Sequence, residues 1–191
     1  MCWTCRELNF ISCFKSICMR KIVAGFAASV DGYIEGPKGE WDWILIDEKI
    51  DFAEQMKRFD AFFFGRRSYE AALKMNSKPA KGVTNYVFSR TLETVDPNFV
   101  LLSGDTREEV EALRRQKGKD MAVFGGASLL SSLLDLQLVD EMTVSFIPVL
   151  LGKGKPMVEV LKEKVWLSFL NSKRYGNGTL SVTYAVRYND V

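Results

Sequence analysis

The stretch from Asp120 to Pro156 limits the choice of fold more than any other. Met121-Ala122-Val123-Phe124 is a short apolar run of strand type, and it stops at Gly125-Gly126. From Ala127 to Leu138 the apolar residues Leu129, Leu130, Leu133, Leu134 and Leu136 follow at helical spacing. Asp140 to Leu150 then reads as a second strand, closed by Pro148 and the loop Leu151-Gly152-Lys153-Gly154-Lys155-Pro156. A strand that turns over two glycines into a helix brings bare backbone N–H groups to the carboxyl edge of a sheet. There the positive end of the helix can hold a phosphate. A Gly-Gly turn before a helix is also an ordinary tight turn, so this unit alone leaves both readings open.

The rest of the chain repeats the pattern. Lys21 to Ser29 is an apolar run of buried-strand type and the expected first, central strand. A loop dense in turn residues, Glu35 to Glu40, ends at Trp41-Asp42-Trp43, either a lid over a pocket or a cover for the core. Asp47 to Phe59 predicts a helix with Asp47 as its N-cap. Ala61 to Phe64 reads as a strand, and Gly65-Arg66-Arg67-Ser68 leads into a helix over Ser68 to Met75. The two guanidiniums at that turn sit where a phosphate would approach the helix end. Thr84 to Ser89 and Phe99 to Leu102 predict further strands, and Thr106 to Lys117 a helix with Thr106 and Glu109 as a capping box. Val165 to Tyr175 and Thr179 to Tyr188, joined by Gly176-Asn177-Gly178, predict an antiparallel hairpin.

Helices alternating with apolar strands imply a three-layer α/β sandwich, with a mostly parallel central sheet and antiparallel C-terminal strands. Ligands in such sheets bind outside the carboxyl ends of the strands, where Gly65, Ser89 and Gly125 fall.

Composition removes several function classes. The chain has no histidine, which excludes a histidine-based triad and any histidine-ligated metal. Its apolar fraction is 47% and its formal net charge +2, values too balanced to indicate a nucleic-acid or membrane partner. All four cysteines, Cys2, Cys5, Cys13 and Cys18, precede Met19. No second Cys-x-x-Cys pair follows Cys2 and Cys5, so no metal site is expected. Residues 1–18 are expected to lie outside the fold, with Met19 as an alternative start, and residues 19–191 to form one cytoplasmic domain without disulfides.

Five segments occur in an order that resembles a known family. They are Ser29-Val30-Asp31-Gly32-Tyr33-Ile34, Phe64-Gly65-Arg66-Arg67-Ser68-Tyr69-Glu70, Val87-Phe88-Ser89-Arg90-Thr91-Leu92, Val123 to Leu130, and Pro148 to Pro156. Together they resemble the dihydrofolate-reductase-like proteins, in particular the branch containing the reductase domain of the bacterial riboflavin-biosynthesis deaminase/reductase and its stand-alone relatives. The resemblance implies NADPH lying across the carboxyl edge of the sheet. Gly65, Arg66, Arg67 and Ser68 would hold its pyrophosphate, and Ser89 and Arg90 its adenosine side and 2′-phosphate. Gly125, Gly126, Ala127 and Ser128 would pass close to the pyrophosphate and nicotinamide. A Cβ at Gly126 would block that approach.

It further implies a reductase of a small pterin- or pyrimidine-type heterocycle. With histidine absent, Asp31 and Asp47 are the candidate catalytic and substrate-binding acids, with Trp43 beside the substrate. Asp42, Glu48 and ordered water are further proton sources. Asp31 is equally a turn residue before Gly32, and Asp47 equally a plain N-cap. The loop Gly152-Lys153-Gly154-Lys155 is either a site for a substrate phosphate or a solvated turn. A non-catalytic nucleotide-binding module stays open as the alternative function. A homodimer is expected through the apolar Val144 to Ile147 strand and the terminal hairpin.

Overall fold

The computed structural model describes residues 19–76 and 79–188. The expectations for residues 1–18 lie outside the described residues. The elements in chain order are β1 (Ile22–Ser29), β2 (Tyr33–Glu35), α1 (Phe52–Met56), β3 (Phe59–Gly65), α2 (Arg66–Lys74), β4 (Thr84–Phe88) and β5 (Phe99–Leu102). After these come α3 (Thr106–Arg114), β6 (Asp120–Gly125), α4 (Ala127–Asp135), β7 (Glu141–Ile147), β8 (Lys155–Pro156), β9 (Trp166–Arg174) and β10 (Leu180–Arg187).

Eight strands form one sheet in the order β5-β4-β3-β6-β1-β7-β10-β9. β5, β4, β3, β6, β1 and β7 run parallel, and β10 and β9 are antiparallel additions. The expected three-layer sandwich is therefore present, with the first strand near the middle. Consecutive side chains on a strand face opposite ways, and the phenylalanine run of β3 shows the result. Phe63 joins a core cluster with Val110 and Leu113 of α3 and with Leu129, Leu130, Leu133 and Leu134 of α4. Phe64 joins a second cluster with Tyr69 and Ala72 of α2, Val87 and Phe99. Helices thus cover both faces. Burying one phenylalanine of this kind contributes roughly 1.5–3 kcal/mol.

The amino ends of the strands are tied by charges. Arg20, nearly buried, bonds Asp60. Arg58 bonds Asp120 at 2.7 Å and Glu141 at 2.8 Å, and Lys21 reaches Glu141 at 2.7 Å. Arg114 meets Asp140, whose other contact is the N–H of Ile22 at 2.7 Å. This network holds the sheet at the end away from the glycine corners.

Three local expectations are corrected. The helix from Asp47 is only the five-residue α1, with Asp51 as its cap accepting the N–H of Glu54. Asp47 cannot cap it, because its carboxylate accepts from Lys49 and from Asn177 instead. Phe59, the expected last residue of that helix, is instead the first residue of β3. The cap of α3 is Asp105, which accepts the N–H of Glu108, and Glu109 reaches back to the N–H of Gly104 at 3.0 Å. The expected box of Thr106 and Glu109 is therefore replaced by a cap at Asp105, with Glu109 accepting one residue outside it, at Gly104. The pair β2 and β8, with three and two residues, forms a separate antiparallel sheet that the sequence pattern did not show.

Candidate active site

The carboxyl ends of β3, β4 and β6 open on a cleft of ≈ 780 Å³. Gly65, Arg66, Arg67, Ser68, Ser89, Arg90, Gly126 and Ser128 line it, together with Lys155 and Thr91. Segments as far apart as Gly65 and Lys155 therefore meet on one rim, its core set by the parallel pairing of β3 with β4 and with β6. Gly65 is the N-cap of α2 and Gly126 the N-cap of α4, and neither helix has a side-chain cap. The first-turn N–H groups of both helices are left for an outside acceptor, and the positive ends of both helix dipoles face the same space.

The glycines keep that space open. A Cβ on Gly125, whose φ is +142°, would stand 3.0 Å from the Ser68 hydroxyl. One on Gly126 would stand 3.4 Å from the same oxygen and 3.5 Å from Lys155 Nζ. Gly125 and Ala127 line neither cleft, and Ala127 is buried at the start of α4.

The arginines divide into two kinds. Arg66 Nε donates to Glu70 at 2.7 Å and its terminal nitrogen to Thr91 at 3.0 Å. Ser89 Oγ accepts the N–H groups of Thr91 and Leu92, both at 3.2 Å. These residues shape the wall. Arg67 and Arg90 are exposed and form no ion pair among the described residues, leaving their guanidiniums for an anion.

A second cleft of ≈ 840 Å³ lies over the opposite half of the sheet. Its rim is apolar, formed by Ile44, Leu45, Ile46, Phe52, Met56, Phe62 and Phe124. Its floor includes Gly25 and Ala27 of β1 and Thr143 and Ser145 of β7. A Cβ on Gly25 would meet nothing within 4 Å, so the strand there is a bare shelf. Phe124 of this cleft and Gly126 of the first are two residues apart, so the end of β6 is the partition between them. Glu54 is the one carboxylate lining the second cleft among the described residues.

Asp31, Trp43 and Asp47 line neither cleft. Asp31 accepts the N–H groups of Gly152 at 2.7 Å and Leu151 at 3.1 Å. The Ser29 hydroxyl, followed by those two amides, holds its carboxyl below the ordinary value. Asp47 is likewise held down, by the N–H of Lys49 first and those of Asn177 and Gly176 after it. A carboxylate kept ionised by several donors is a clamp and not a proton donor at neutral pH. Trp43 Nε1 donates to the Glu40 carbonyl at 3.2 Å, within its own loop.

The loop after β7 is fastened by Asp31, and Lys155 turns from it toward Gly126. The sequence pattern did not single out Glu54 or the second cleft. The alternation of hydroxyl and apolar residues in Thr143-Val144-Ser145 and Ser181-Val182-Thr183 was the signal available for them.

The fold and its glycine-lined edge define a dihydrofolate-reductase-like α/β domain. The chain belongs to the family of the RibD C-terminal domain, whose model matches residues 20–181. The uncharacterized protein YyaP of Bacillus subtilis (strain 168) is 32% identical over 177 residues, covering 86% of this chain and 94% of that one. The crystal structure of a putative riboflavin biosynthesis protein from Shewanella sp. PV-4 superposes with a TM-score of 0.79 at 22% identity, covering 88% of this chain and 99% of that one. Dihydrofolate reductase from Enterococcus faecalis, complexed with NADP(H), superposes with a TM-score of 0.62 at 16% identity, covering 88% and 97%. These likenesses establish a reductase-type fold. Among the described residues no helix is long and apolar enough to cross a membrane.

Proposed function

We propose that the protein is an NADPH-dependent reductase of a small planar heterocycle of the pterin or pyrimidine type. The observation that carries this reading is the meeting of two uncapped helix ends, Arg67 and Arg90 on one rim, separated only by the end of β6 from an apolar cleft. The residues present fit a dinucleotide phosphate. The N–H groups opening α2 and α4 suit a pyrophosphate, and the space above Gly126 admits it without a clash. Arg67 and Arg90 suit the 2′-phosphate that distinguishes NADPH from NADH.

NADPH, when bound, supplies the hydride. The chain's own residues bind, orient and exclude water. Ile44, Ile46, Phe52 and Phe124 shield a ring lying over Gly25 and Ala27. As the carboxylate that lines this cleft among the described residues, Glu54 is the group we assign to pass a proton to the ring, directly or through a water. Its present partner is Lys57 at 2.5 Å, on an exposed face.

The test is single-turnover oxidation of NADPH at 340 nm with a panel of dihydropterins and aminopyrimidinones. Oxidation with at least one, and a lower Kd for NADPH than for NADH, is the expected result. Tight NADPH binding with no oxidation across the panel would instead favour a nucleotide-binding module.

We also propose that the chain forms a homodimer, through the terminal hairpin and not through Val144 to Ile147, which lie in β7 between β1 and β10. β9 is the outermost strand and nearly all of its residues are exposed, including Leu167, Phe169 and Leu170. An open apolar edge of this kind invites pairing with a second copy. Sedimentation equilibrium of the wild type and of Phe169→Lys checks it, with a dimer expected only in the former.

A further inference from the structure

Beyond its glycine rim the first cleft continues along α4. Ser128 and Ser132 line it one helical turn apart, and Leu102, Gly104 and Thr106 line it from the end of β5 and the start of α3. Glu159 lines it as well. The chain around Glu159 is fastened to the helix at two points. Its own N–H donates to Ser131 Oγ at 2.9 Å, and the N–H of Lys162 donates to Asp135 Oδ1 at 3.0 Å. Ser131 is the immediate neighbour of Ser132, so the Glu159 backbone is fixed beside the part of the helix that faces the cleft.

Charge is unevenly placed in this cleft. Arg67, Arg90 and the uncapped ends of α2 and α4 favour anions. Two carboxylates line the same space. Glu70 is matched by Arg66 at 2.7 Å, whereas Glu159 has no ion pair among the described residues. A carboxylate without a cation repels phosphate and takes hydrogen-bond donors. Ser132 adds a second acceptor. Its O–H is spent on the Ser128 carbonyl at 2.9 Å, so only its lone pairs are left for a ligand. Phe88, Leu102 and Leu129 supply apolar surface in the same lining, as the faces of a flat ring require.

We infer that Glu159 is the base-reading residue of the first cleft, and that it selects a ring bearing an exocyclic amino group. The amino group of adenine donates an N–H to the carboxylate, with Ser132 Oγ as a further acceptor beside it. A purine with a carbonyl in that place would turn an oxygen toward these acceptors and leave both sides unpaired. This assignment rests on the reading of the first cleft as a dinucleotide site. It adds which base the dinucleotide carries and which residue reads it.

The test uses binding alone, so it does not depend on turnover or on the substrate. The probes are NADPH and its hypoxanthine analogue, in which a carbonyl oxygen replaces the amino group of the adenine. The two share every phosphate, both riboses and the nicotinamide, so the arginines contribute equally to each. Quenching of protein fluorescence gives the Kd of each. NADPH is expected to bind about tenfold more tightly, the size of one charge-assisted contact.

Glu159→Gln is expected to bring the two affinities together, because a carboxamide offers an N–H to a carbonyl as readily as it offers an oxygen to an amine. Glu159→Ala is expected to do the same. Both variants are expected to melt with the wild type, since the residue is exposed and its side chain makes no ion pair. An Arg67→Ala/Arg90→Ala variant is expected to weaken both dinucleotides and keep their ratio. Equal affinity for the two in the wild type overturns the proposal, and so does a preference that survives Glu159→Gln. If neither dinucleotide binds, this assignment and the cofactor reading fall together. A preference that depends on Glu159, with no NADPH oxidation across the substrate panel, supports the assignment and counts against the reductase reading alone.

Discussion

Asp31 and Gly152, 121 positions apart, are joined by a 2.7 Å hydrogen bond from the glycine N–H to the carboxylate. Through it the turn after β1 fixes the loop after β7. That loop delivers Lys155 to the cleft beside Gly126. A residue that touches neither cavity therefore sets the position of one that does. Asp31→Asn keeps the shape but weakens the acceptor, and it is expected to raise the Kd for NADPH by roughly three- to tenfold. Fluorescence titration measures it, and no change would mean that Lys155 is held by other contacts.

Arg67→Ala and Arg90→Ala are each expected to weaken NADPH by about ten- to a hundredfold and NADH far less. Parallel titrations with the two cofactors make the comparison. An equal loss for both would place the guanidiniums away from the 2′-phosphate.

Gly126→Ala separates folding from binding. Its new Cβ would sit at 3.4 Å from Ser68 Oγ and 3.5 Å from Lys155 Nζ, at the tight edge of ordinary contact. The variant is expected to melt within a few degrees of the wild type while binding NADPH at least about tenfold more weakly. Unaltered binding would show that no phosphate passes over this corner.

Glu54→Gln is expected to lower kcat by about a hundredfold or more, leaving the Kd for NADPH unchanged. Pre-steady-state oxidation with a working substrate is the measurement. Unchanged kcat in the variant would remove Glu54 from the proton transfer.

The charge network predicts an acid sensitivity. Burial raises the Glu141 carboxyl, but the bonds from Lys21 and Arg58 outweigh it, and the net result lies below the ordinary value. A carboxyl depressed in the folded state contributes stability that is full above its unfolded pKa. That contribution is lost as pH falls through the folded one. Urea midpoints are therefore expected to be flat near neutrality and to drop below about pH 4. Glu141→Gln is expected to cost about 1–2 kcal/mol at pH 7 and to flatten that drop.

Much of this architecture is legible in the residues because the long elements obey one period each. β1, β3 and β6 are apolar on both faces, as parallel strands under helices require. The glycines at positions 65 and 126 mark where those strands turn into helices. The misread parts are those where tertiary contacts outweigh local preference. Asp47 reads as a helix cap because Lys49 and Glu48 follow it, yet its partner Asn177 lies 130 positions away. β2 and β8 are too short to carry a period and exist only because each pairs with the other. The second cleft is a surface property of several strands together, and only the sheet order brings Ser145, Ser181 and Lys173 into one row.

The end of β6 gives each chamber its own residue: Phe124 belongs to the apolar one and Gly126 to the polar one. A methyl group added at Gly126 would stand against Ser68 and Lys155, both on the polar side, so that chamber can be narrowed by substitution without touching its neighbour.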